Sequence, residues 1–353
     1  MKKLLALALA LVLIGCMAGA ALAEGKVGVL MPTQSLQRWN QDGANMKEKL
    51  EAAGYEVDLQ YANNDIPTQV AQVENEILND VNVLVIAAVD SWSLTTVLAD
   101  AKAAGIPVIA YDRNIMETDA VTYYATFDNY QVGQIQGQYL ETQLDLANRT
   151  ADNSVNIEFF GGDPGDPNAQ HFFNGAWDVL SPYIESGVVK VPSGQTEFAQ
   201  IATANWDSAN SQSRMDNLIA ANYSDGTKLD AVCCSNDSTA LGVTNALIGA
   251  GFDEFPLITG QDCDVANTKN IILGFQSMSV FKDTRTLAEK VVAMVDTILK
   301  GEEPEINDTT TYDNGVFVVP TYVCAPVFAD KNNYKELLVD SGYYTEADLE
   351  VAN

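Results

Sequence analysis

The feature that most constrains the fold is a regular alternation of short apolar runs with longer amphipathic segments, which begins at Lys26. Short apolar runs are typical of strands buried in a parallel sheet, and segments whose apolar residues recur every three or four positions are typical of helices packed on it. The expected strands lie at 27–31, 57–61, 83–89 and 107–111, and the expected helices lie at 43–53, 66–78 and 94–104. This order predicts an α/β fold with right-handed crossovers and a parallel sheet.

The same alternation begins again after residue 129, which predicts a second lobe built like the first. Its expected helices lie at 131–144, 168–180, 208–221 and 238–249, and its expected strands lie at 155–160, 188–191, 229–234 and 256–260. The chain should therefore form two similar doubly wound parallel-sheet lobes. The pattern continues with a strand at 271–276, a helix at 280–299 and an apolar run at 316–328, but periodicity assigns these segments to neither lobe.

The first 23 residues have the composition of an export signal, a basic start followed by an apolar stretch too short to cross a bilayer comfortably. Two cleavage patterns compete. Leu-Ile-Gly-Cys at 13–16 would place a lipid on Cys16, whereas Ala-Leu-Ala at 21–23 suits ordinary signal peptidase. The second pattern leaves a chain that starts just before the first strand. We therefore expect a soluble exported protein, in the periplasm or at the outer face of the membrane, with lipid anchoring at Cys16 as the alternative.

The remaining part of the chain, about 330 residues, is long enough for two domains with separate cores. Acidic residues outnumber basic ones by 48 to 19, and the formal net charge is −29. Nucleic acids and anionic membrane surfaces bind basic faces, so this charge argues against both as partners.

Four cysteines follow the signal, namely Cys233, Cys234, Cys263 and Cys324. Their spacing is not that of a zinc site, and His171 is the single histidine, so we predict no metal and no cofactor. Neighbouring residues on a strand face opposite sides of the sheet, so at most one of the first two can meet Cys263. A disulfide between Cys234 and Cys263 and buried free thiols both remain open.

The strand expected at 107–111 ends in an acid and a base side by side, Asp112 and Arg113. Ligands of open α/β sheets lie just past the carboxyl ends of the strands, where this pair would stand. A carboxylate accepts hydrogen bonds and a guanidinium donates them, so the two can hold the hydroxyls of a polyol. The alternative is a salt bridge that closes the loop.

Other polar and aromatic residues also follow expected strands, where loops would present them to one cleft. They are Arg38, Trp39, Asp90, the 163–168 segment, Trp206, Asn236, Asp237, Gln261 and Asp262. Sugars offer hydroxyl groups to acids, amides and arginines, and a C–H face that packs on an indole ring. Each residue also has a structural alternative, core packing for the tryptophans and helix capping for Asn236, Asp237 and Asp262. The recurrence at strand ends favours a sugar site.

An enzyme is the competing class, and the sequence argues against it. The chain lacks the nucleophile-elbow, P-loop and dinucleotide-binding motifs. Asp112 and Asp262 could in principle form the carboxylate pair of a glycosidase. An arginine beside an acid lowers the pKa that a general acid needs raised, so we predict a protein without catalytic residues.

Seven short motifs occur in a distinctive order, namely Arg-Trp at 38–39, VLVIA at 83–87, IAYDR at 109–113, ATFDN at 125–129, GGDPGDPNA at 161–169, SND at 235–237 and GQD at 260–262. Together they resemble the periplasmic sugar-binding proteins of ABC importers, in particular the xylose-binding and multiple-sugar-binding types of the ribose-binding superfamily. The resemblance extends from about residue 26 to 344, nearly the whole mature chain.

This resemblance implies a type I periplasmic binding protein, a monomeric clamp of two lobes joined by a hinge of three chain crossings. The crossings are expected near Asp128, near Asp262 and between 307 and 323. The N-terminal lobe would then comprise 24–128 and 263–306, and the C-terminal lobe would comprise 129–262 and 307–353.

The resemblance also implies a ligand site between the lobes. The residues expected to bond sugar hydroxyls are Arg38, Asp112, Arg113, Asp166, Asn168, Asn236, Asp262 and Lys282, and those expected to pack on the ring are Trp39 and Trp206. Pro167 replaces an asparagine frequent in this loop, and the SND motif is of the xylose type although other stretches are of the multiple-sugar type. The choice among xylose, glucose, galactose and arabinose therefore stays open.

The implied partner is an ABC permease that receives the sugar. A sugar sensor that presents its ligand to a chemoreceptor or sensor kinase is the alternative, and a non-sugar ligand on the same fold is a third hypothesis.

Overall fold

The computed structural model describes residues 25–351. The expected signal segment, with both cleavage patterns and Cys16, lies outside the described residues. Within 25–351, none of the helices combines the length and the apolar character that crossing a membrane requires.

Strands and helices alternate along the chain, as the apolar pattern predicts. The strands are β1 (Lys26–Met31), β2 (Glu56–Tyr61), β3 (Val83–Ile86), β4 (Val108–Tyr111), β5 (Tyr123–Phe127), β6 (Val155–Phe160), β7 (Val189–Lys190), β8 (Ala231–Cys234), β9 (Leu257–Ile258), β10 (Met278–Phe281), β11 (Thr321–Cys324) and β12 (Val327–Asp330). The α-helices are α1 (Gln37–Ala52), α2 (Ile66–Leu78), α3 (Thr95–Ala103), α4 (Asn129–Gln143), α5 (Pro167–Glu185), α6 (Phe198–Ile201), α7 (Ser208–Leu218), α8 (Asp237–Gly249), α9 (Val265–Leu273) and α10 (Thr284–Leu299).

The first lobe is built on a six-stranded parallel sheet with the order β11-β5-β4-β3-β1-β2. Its inner strands β3 and β4 are apolar and buried throughout because helices cover both faces, whereas the edge strand β2 carries exposed polar residues. In β1, Val29 packs with Met46 of α1 and Leu287 of α10, whereas its neighbour Leu30 packs on the opposite face with Leu98 of α3. Burial of both faces stabilises the lobe by the hydrophobic effect, about 25 cal/mol for each Å² of apolar surface removed from water.

The second lobe is built on a smaller parallel sheet with the order β7-β6-β8-β9. A parallel bridge between Gln261 and Val280 adds β10 beside the continuation of β9. Strand β12 then pairs antiparallel with β10. Two apolar cores, one on each face, contain Phe159 and Val232 respectively.

The chain crosses between the lobes after β5, after β10 and after β11. The first crossing lies near Asp128, as expected. The second follows β10 and not Asp262, because β10 hydrogen-bonds along the second sheet, with Val280 N donating to the Gly260 carbonyl at 2.9 Å. The third follows Cys324, because β11 pairs with β5 in the first sheet. These pairings contradict the expected boundaries for the 263–306 and 307–353 segments: 263–281 lies with the second lobe, and β11 lies with the first.

Two secondary-structure predictions were wrong, and the second of them concerns residues of the site. The strand expected at 271–276 is instead the end of α9, which stops at Gly274 with a left-handed φ of 90°. A short apolar run fits a strand and a buried helix turn equally well, so periodicity could not separate them. Helix α1 begins at Gln37, six residues earlier than predicted, and therefore carries Arg38 and Trp39 in its first turn.

The four cysteines of the described region are buried free thiols. Of the two alternatives for Cys234 and Cys263, the structure has the unbridged one. Burial raises the pKa of the Cys233 thiol to about 12, so this group is protonated at neutral pH.

Candidate functional site

A cavity lies between the two lobes. It is lined by Leu36, Arg38, Trp39, Asp112, Arg113, Asp166, Phe172, Trp206, Asn236, Gln261, Asp262 and Lys282. All of these residues except Leu36 are buried. The cavity is thus lined by buried side chains that both lobes contribute.

The fold brings these side chains together because strand ends and helix starts of both lobes face the same gap. In the first lobe, Arg38 and Trp39 occupy the first turn of α1, and Asp112 directly follows β4. In the second lobe, Asp166 and Asn236 are the residues immediately before α5 and α8.

Acids and bases form one connected network around the cavity. The guanidinium of Arg38 lies 3.0 Å from Asp112 and 3.3 Å from Asp262. The ammonium of Lys282 lies 3.2 Å from Asp262 and 3.7 Å from Asp112. Two cations thus share two carboxylates, and charges buried in this way are tolerable only when paired.

Asp112 and Arg38 are both charged at neutral pH. Burial alone would raise the pKa of Asp112, but Arg38, Lys282 and Arg113 outweigh it, and the pKa lies below its ordinary value. Burial alone would likewise lower the pKa of Arg38, but the surrounding carboxylates, Asp112 foremost, raise it well above its ordinary value. Asp112 is therefore an ionised hydrogen-bond acceptor, and Arg38 is a charged donor.

A second ion pair joins the lobes directly. Arg113 Nε lies 2.9 Å from Asp166 Oδ2, and Arg113 Nη1 donates to the Ala88 carbonyl at 2.8 Å. The pKa of Asp166 lies above its ordinary value, because burial raises it by more than the charge of Arg113 lowers it. Nearby, Ser91 N donates to the Gly165 carbonyl at 3.0 Å, so backbone from both lobes meets beside the cavity.

Two indole rings add apolar faces to this charged site. The indole Nε1 atoms of Trp39 and Trp206 are buried and have no hydrogen-bond partner among residues 25–351. Buried donors are nearly always bonded, so each indole N–H is available to a ligand oxygen. Trp206 rests on Gly162: a Cβ atom built at Gly162 would lie 1.8 Å from the indole ring.

Three residues of the site have left-handed backbone, with φ of 59° at Asp112, 55° at Trp206 and 97° at Asp262. This conformation is uncommon outside glycine and is strained for a bulky residue such as tryptophan. Such strain clusters at ligand clamps, where the surrounding structure holds side chains in directions that relaxed backbone would not give.

Nine of the ten residues expected from the sequence line the cavity, and Asn168 does not. Asn168 is buried beside the site, where its Nδ2 donates to the Asp112 carbonyl at 2.6 Å and its Oδ1 accepts from the Tyr124 hydroxyl at 3.3 Å. Asn168 thus contacts the backbone of Asp112 from outside the cavity lining.

Some residues that were candidates for the site have the structural role that the sequence also allowed. Asn236 does cap α8, since its Oδ1 accepts from Thr239 N at 2.9 Å, and it also lines the cavity. Asp90 accepts from Trp92 N at 2.9 Å and lies outside the cavity lining. Asp112 and Arg113 pair with other residues of the site, so they do not simply close a loop on each other.

The expected set missed three lining residues, namely Leu36, Phe172 and Gln261. Gln261 did carry the strand-end signal and lies in the GQD motif, but the set of ligand residues that the resemblance implies did not include it. Phe172 lies one helical turn after Asn168, so a four-residue spacing from the expected loop could have found it. Leu36 carries no signal beyond its position before Arg38.

Comparison with known proteins places this geometry in a family. Residues 27–303 match the family described as "periplasmic binding protein domain". The chain is 49% identical over 332 residues to the multiple sugar-binding periplasmic protein SbpA of Azospirillum brasilense, with 92% of each chain covered. It is 36% identical to the D-xylose-binding periplasmic protein of Escherichia coli, with 92% of this chain and 93% of that one covered.

A solved structure is also similar, that of an ABC transporter solute binding protein from Clostridium phytofermentans with bound β-D-glucose. The TM-score is 0.90 and the identity 61%, with 92% of this chain and 100% of that chain covered. These matches confirm the predicted type I fold and the resemblance to periplasmic sugar-binding proteins of the ribose-binding superfamily. The chain therefore belongs to the periplasmic binding protein domain family, and it is a solute-binding protein and not an enzyme.

Proposed function

We propose that the protein captures a monosaccharide of the xylose, glucose, galactose or arabinose type between its lobes and delivers it to an ABC permease. The observation that carries this proposal is the composition of the buried cavity. It combines carboxylates, paired cations and two indole rings, contributed by both lobes.

The chemistry of the cavity suits a sugar. Carboxylates such as Asp112 accept hydrogen bonds from hydroxyl groups, and Arg38 and Lys282 donate to hydroxyl oxygens. A hydroxyl does both, so a polyol can bond to each member of a carboxylate–cation pair without disturbing its charge balance. Trp39 and Trp206 would pack against the C–H faces of the ring.

The relatives support the choice of ligand class. The 61% identical structure holds β-D-glucose, and the names of the other two relatives refer to multiple sugars and to D-xylose. D-glucose is therefore the first candidate for this chain.

Closure links binding to delivery. A ligand that contacts both lobes favours the closed form by the contacts that exist only there. We propose that the closed form is recognised by the permease and that opening releases the sugar to it. The description of the glucose-bound relative as part of an ABC transporter supports this route.

The direct test of binding is a thermal-shift and calorimetric panel of D-glucose, D-xylose, D-galactose, L-arabinose and D-ribose. A ligand at 100 times its Kd should stabilise the protein by about 2.7 kcal/mol. At least one sugar should raise the melting temperature and titrate at one site per chain. No shift with any of them would refute the proposed ligand class.

Delivery is tested in the producing cell. Deleting the gene should abolish uptake of the radiolabelled sugar that binds best in vitro, and a plasmid copy should restore it. Normal uptake together with a lost chemotactic or transcriptional response to that sugar would instead favour the sensor alternative.

A further inference from the structure

Asp42 lies behind the cavity, one turn after Arg38 on helix α1, and is fully buried. Its Oδ2 atom lies 3.0 Å from both Nε and Nη2 of Arg38. Its Oδ1 atom accepts a hydrogen bond from the hydroxyl of Tyr111, which is also fully buried. Neither Asp42 nor Tyr111 lines the cavity. Both oxygens of this carboxylate are thus bonded to groups that adjoin the site.

These contacts connect the two elements of the first lobe that supply its central charges. Tyr111 is the last residue of β4 and immediately precedes Asp112, whereas Asp42 and Arg38 share α1. A guanidinium is planar, with its donors in a fixed fork, so a partner that holds Nε fixes the plane of the whole group. The orientation of Arg38 toward the cavity is therefore set from behind, by a residue that would not touch the ligand.

We propose that Asp42 is a positioning residue for ligand binding, which holds the guanidinium of Arg38 in the plane where it meets the ligand, and that Tyr111 in turn holds Asp42. Without Asp42, the Arg38 guanidinium would keep Asp112 and Asp262 as its carboxylate partners, beside its contact with the Trp39 ring. It would turn onto them and occupy carboxylate oxygens that otherwise accept hydroxyl groups. The binding readout of this inference rests on the proposed function.

The electrostatics agree with the geometry. Burial raises the pKa of Asp42 to about 6, although Arg38 opposes the shift. The charged or titratable groups that interact with Asp42 are Arg38 on α1, Tyr61 on β2, Tyr111 and Asp112 at the end of β4, and Tyr343 in the C-terminal segment. When the pH falls through 6, Asp42 gains a proton and the charge that faces Arg38 Nε is lost. Ligand affinity should therefore fall as the pH is lowered from 7.5 to 5.

The test compares wild type, Asp42→Asn, Tyr111→Phe and the double variant by calorimetry with D-glucose between pH 5 and 8. At pH 7.5, Asp42→Asn should bind at least about tenfold more weakly, since it removes the negative charge that faces the Arg38 guanidinium, and Tyr111→Phe should bind about threefold more weakly. The double variant should be no weaker than Asp42→Asn, because Tyr111 acts only through Asp42. The difference between wild type and Asp42→Asn should shrink toward pH 5.

Glu158→Gln is the matched control. Glu158 is also a fully buried acid, but it bonds Ser193 and Tyr223 in the second lobe and does not line the cavity. Its replacement should lower the melting temperature and leave affinity unchanged. Asp42→Asn would overturn the inference if it behaved in the same way, with normal affinity and no change in pH profile.

A crystal structure of Asp42→Ala without sugar gives a readout that does not depend on the proposed function, because alanine removes the acceptor that holds Arg38 Nε. The guanidinium of Arg38 should have turned toward Asp112 or Asp262. An Arg38 in its present place would overturn the inference even if no sugar binds. Failure of every sugar to bind the wild type would refute the proposed function alone, and this structure would still decide the role of Asp42.

Discussion

At Asp112, backbone conformation and charge act together. The left-handed φ of 59° directs the chain away from the strand, and the Asp112 carbonyl is held by the hydroxyls of Tyr124 at 2.6 Å and Thr126 at 3.0 Å. The side chain thereby reaches Arg38 and Lys282. A carboxylate held in this way is preorganised for a ligand, because little conformational entropy is left to lose on binding.

The first prediction concerns the charge of Asp112. Asp112→Asn keeps the shape of the side chain but leaves Arg38 and Lys282 short of a counter-charge, so sugar affinity should weaken by ~2–5 kcal/mol. Calorimetric titration with the best-binding sugar measures the loss. Asp90→Asn is the matched control, an acid four residues after β3 and outside the cavity lining, and it should bind nearly as wild type. Equal affinity of wild type and Asp112→Asn would contradict the assigned role of Asp112.

The second prediction concerns the packing of Trp206 against Gly162. Gly162→Ala places a methyl group where the indole lies, so the ring must move and affinity should drop by about 2 kcal/mol or more, as expected for a central aromatic contact. The double variant Gly162→Ala/Trp206→Ala should bind no more weakly than Trp206→Ala alone. Gly249→Ala, at an open position in α8, serves as control and should leave affinity unchanged. Additive losses in the double variant would show that Gly162 acts independently of Trp206.

Most of the site was predictable from the sequence, because acids, amides and indoles recur just after the predicted strands. A sugar site uses all three kinds of side chain at that edge of a sheet. What the sequence could not supply was the side-chain direction of each residue. Asn168 and Phe172 lie on the same helix, one turn apart, yet Phe172 lines the cavity and Asn168 turns to the Asp112 carbonyl. Left-handed backbone at Trp206 is equally invisible in a sequence, because nothing in its residue type favours it.

At the scale of elements, two helices of the second lobe begin at cavity residues, Asp166 before α5 and Asn236 before α8. The side chain of each accepts a hydrogen bond from its own helix, from Asn168 N at 3.0 Å and from Thr239 N at 2.9 Å. One polar group thus caps a helix and adjoins the cavity, which fixes its rotamer before a ligand arrives.

The third prediction separates these two roles of Asn236. Serine caps helices about as well as asparagine, so Asn236→Ser should change the free energy of unfolding by less than about 0.5 kcal/mol, whereas Asn236→Ala should cost about 1 kcal/mol. Both variants lose the amide that lines the cavity and should bind sugar more weakly by about 1 kcal/mol or more. Urea unfolding and calorimetry measure the two effects. Normal affinity in Asn236→Ser would mean that Asn236 is a cap alone.

The elements themselves were predictable where the apolar pattern was long, as in α2 or β6, whose bounds match the prediction. Their assignment to lobes was not, because it depends on hydrogen bonds between distant segments. Strand β10 joins the second sheet through a hydrogen bond to Gly260, and β11 joins the first sheet by pairing with β5. Nothing in the composition of either strand indicates which sheet it joins. Pairing of this kind is a long-range property that local periodicity does not encode.

At the scale of the whole molecule, direct contacts between the lobes stabilise the closed arrangement, and a bound ligand would add further contacts. The direct contacts include the Arg113–Asp166 ion pair, the Ser91–Gly165 backbone bond and the bond from Asn168 to the Asp112 carbonyl. Residues that act only through such contacts should affect the closed form of every complex equally, whereas residues that touch the ligand should affect some ligands more than others.

The fourth prediction applies this distinction to Asn168. If Asn168 acts by holding Asp112 across the lobes, Asn168→Ala should weaken the binding of every sugar by about the same factor, ~0.5–1.5 kcal/mol for one hydrogen bond. Calorimetry with the panel of five sugars measures the ranking, and small-angle X-ray scattering at saturating sugar should show the same compact form as wild type. If instead Asn168 bonds a sugar hydroxyl, as the motif resemblance implies, sugars that lack that hydroxyl will lose nothing and the ranking will change. A changed ranking would therefore return Asn168 to the set of ligand contacts, and a uniform loss would establish it as a residue of closure.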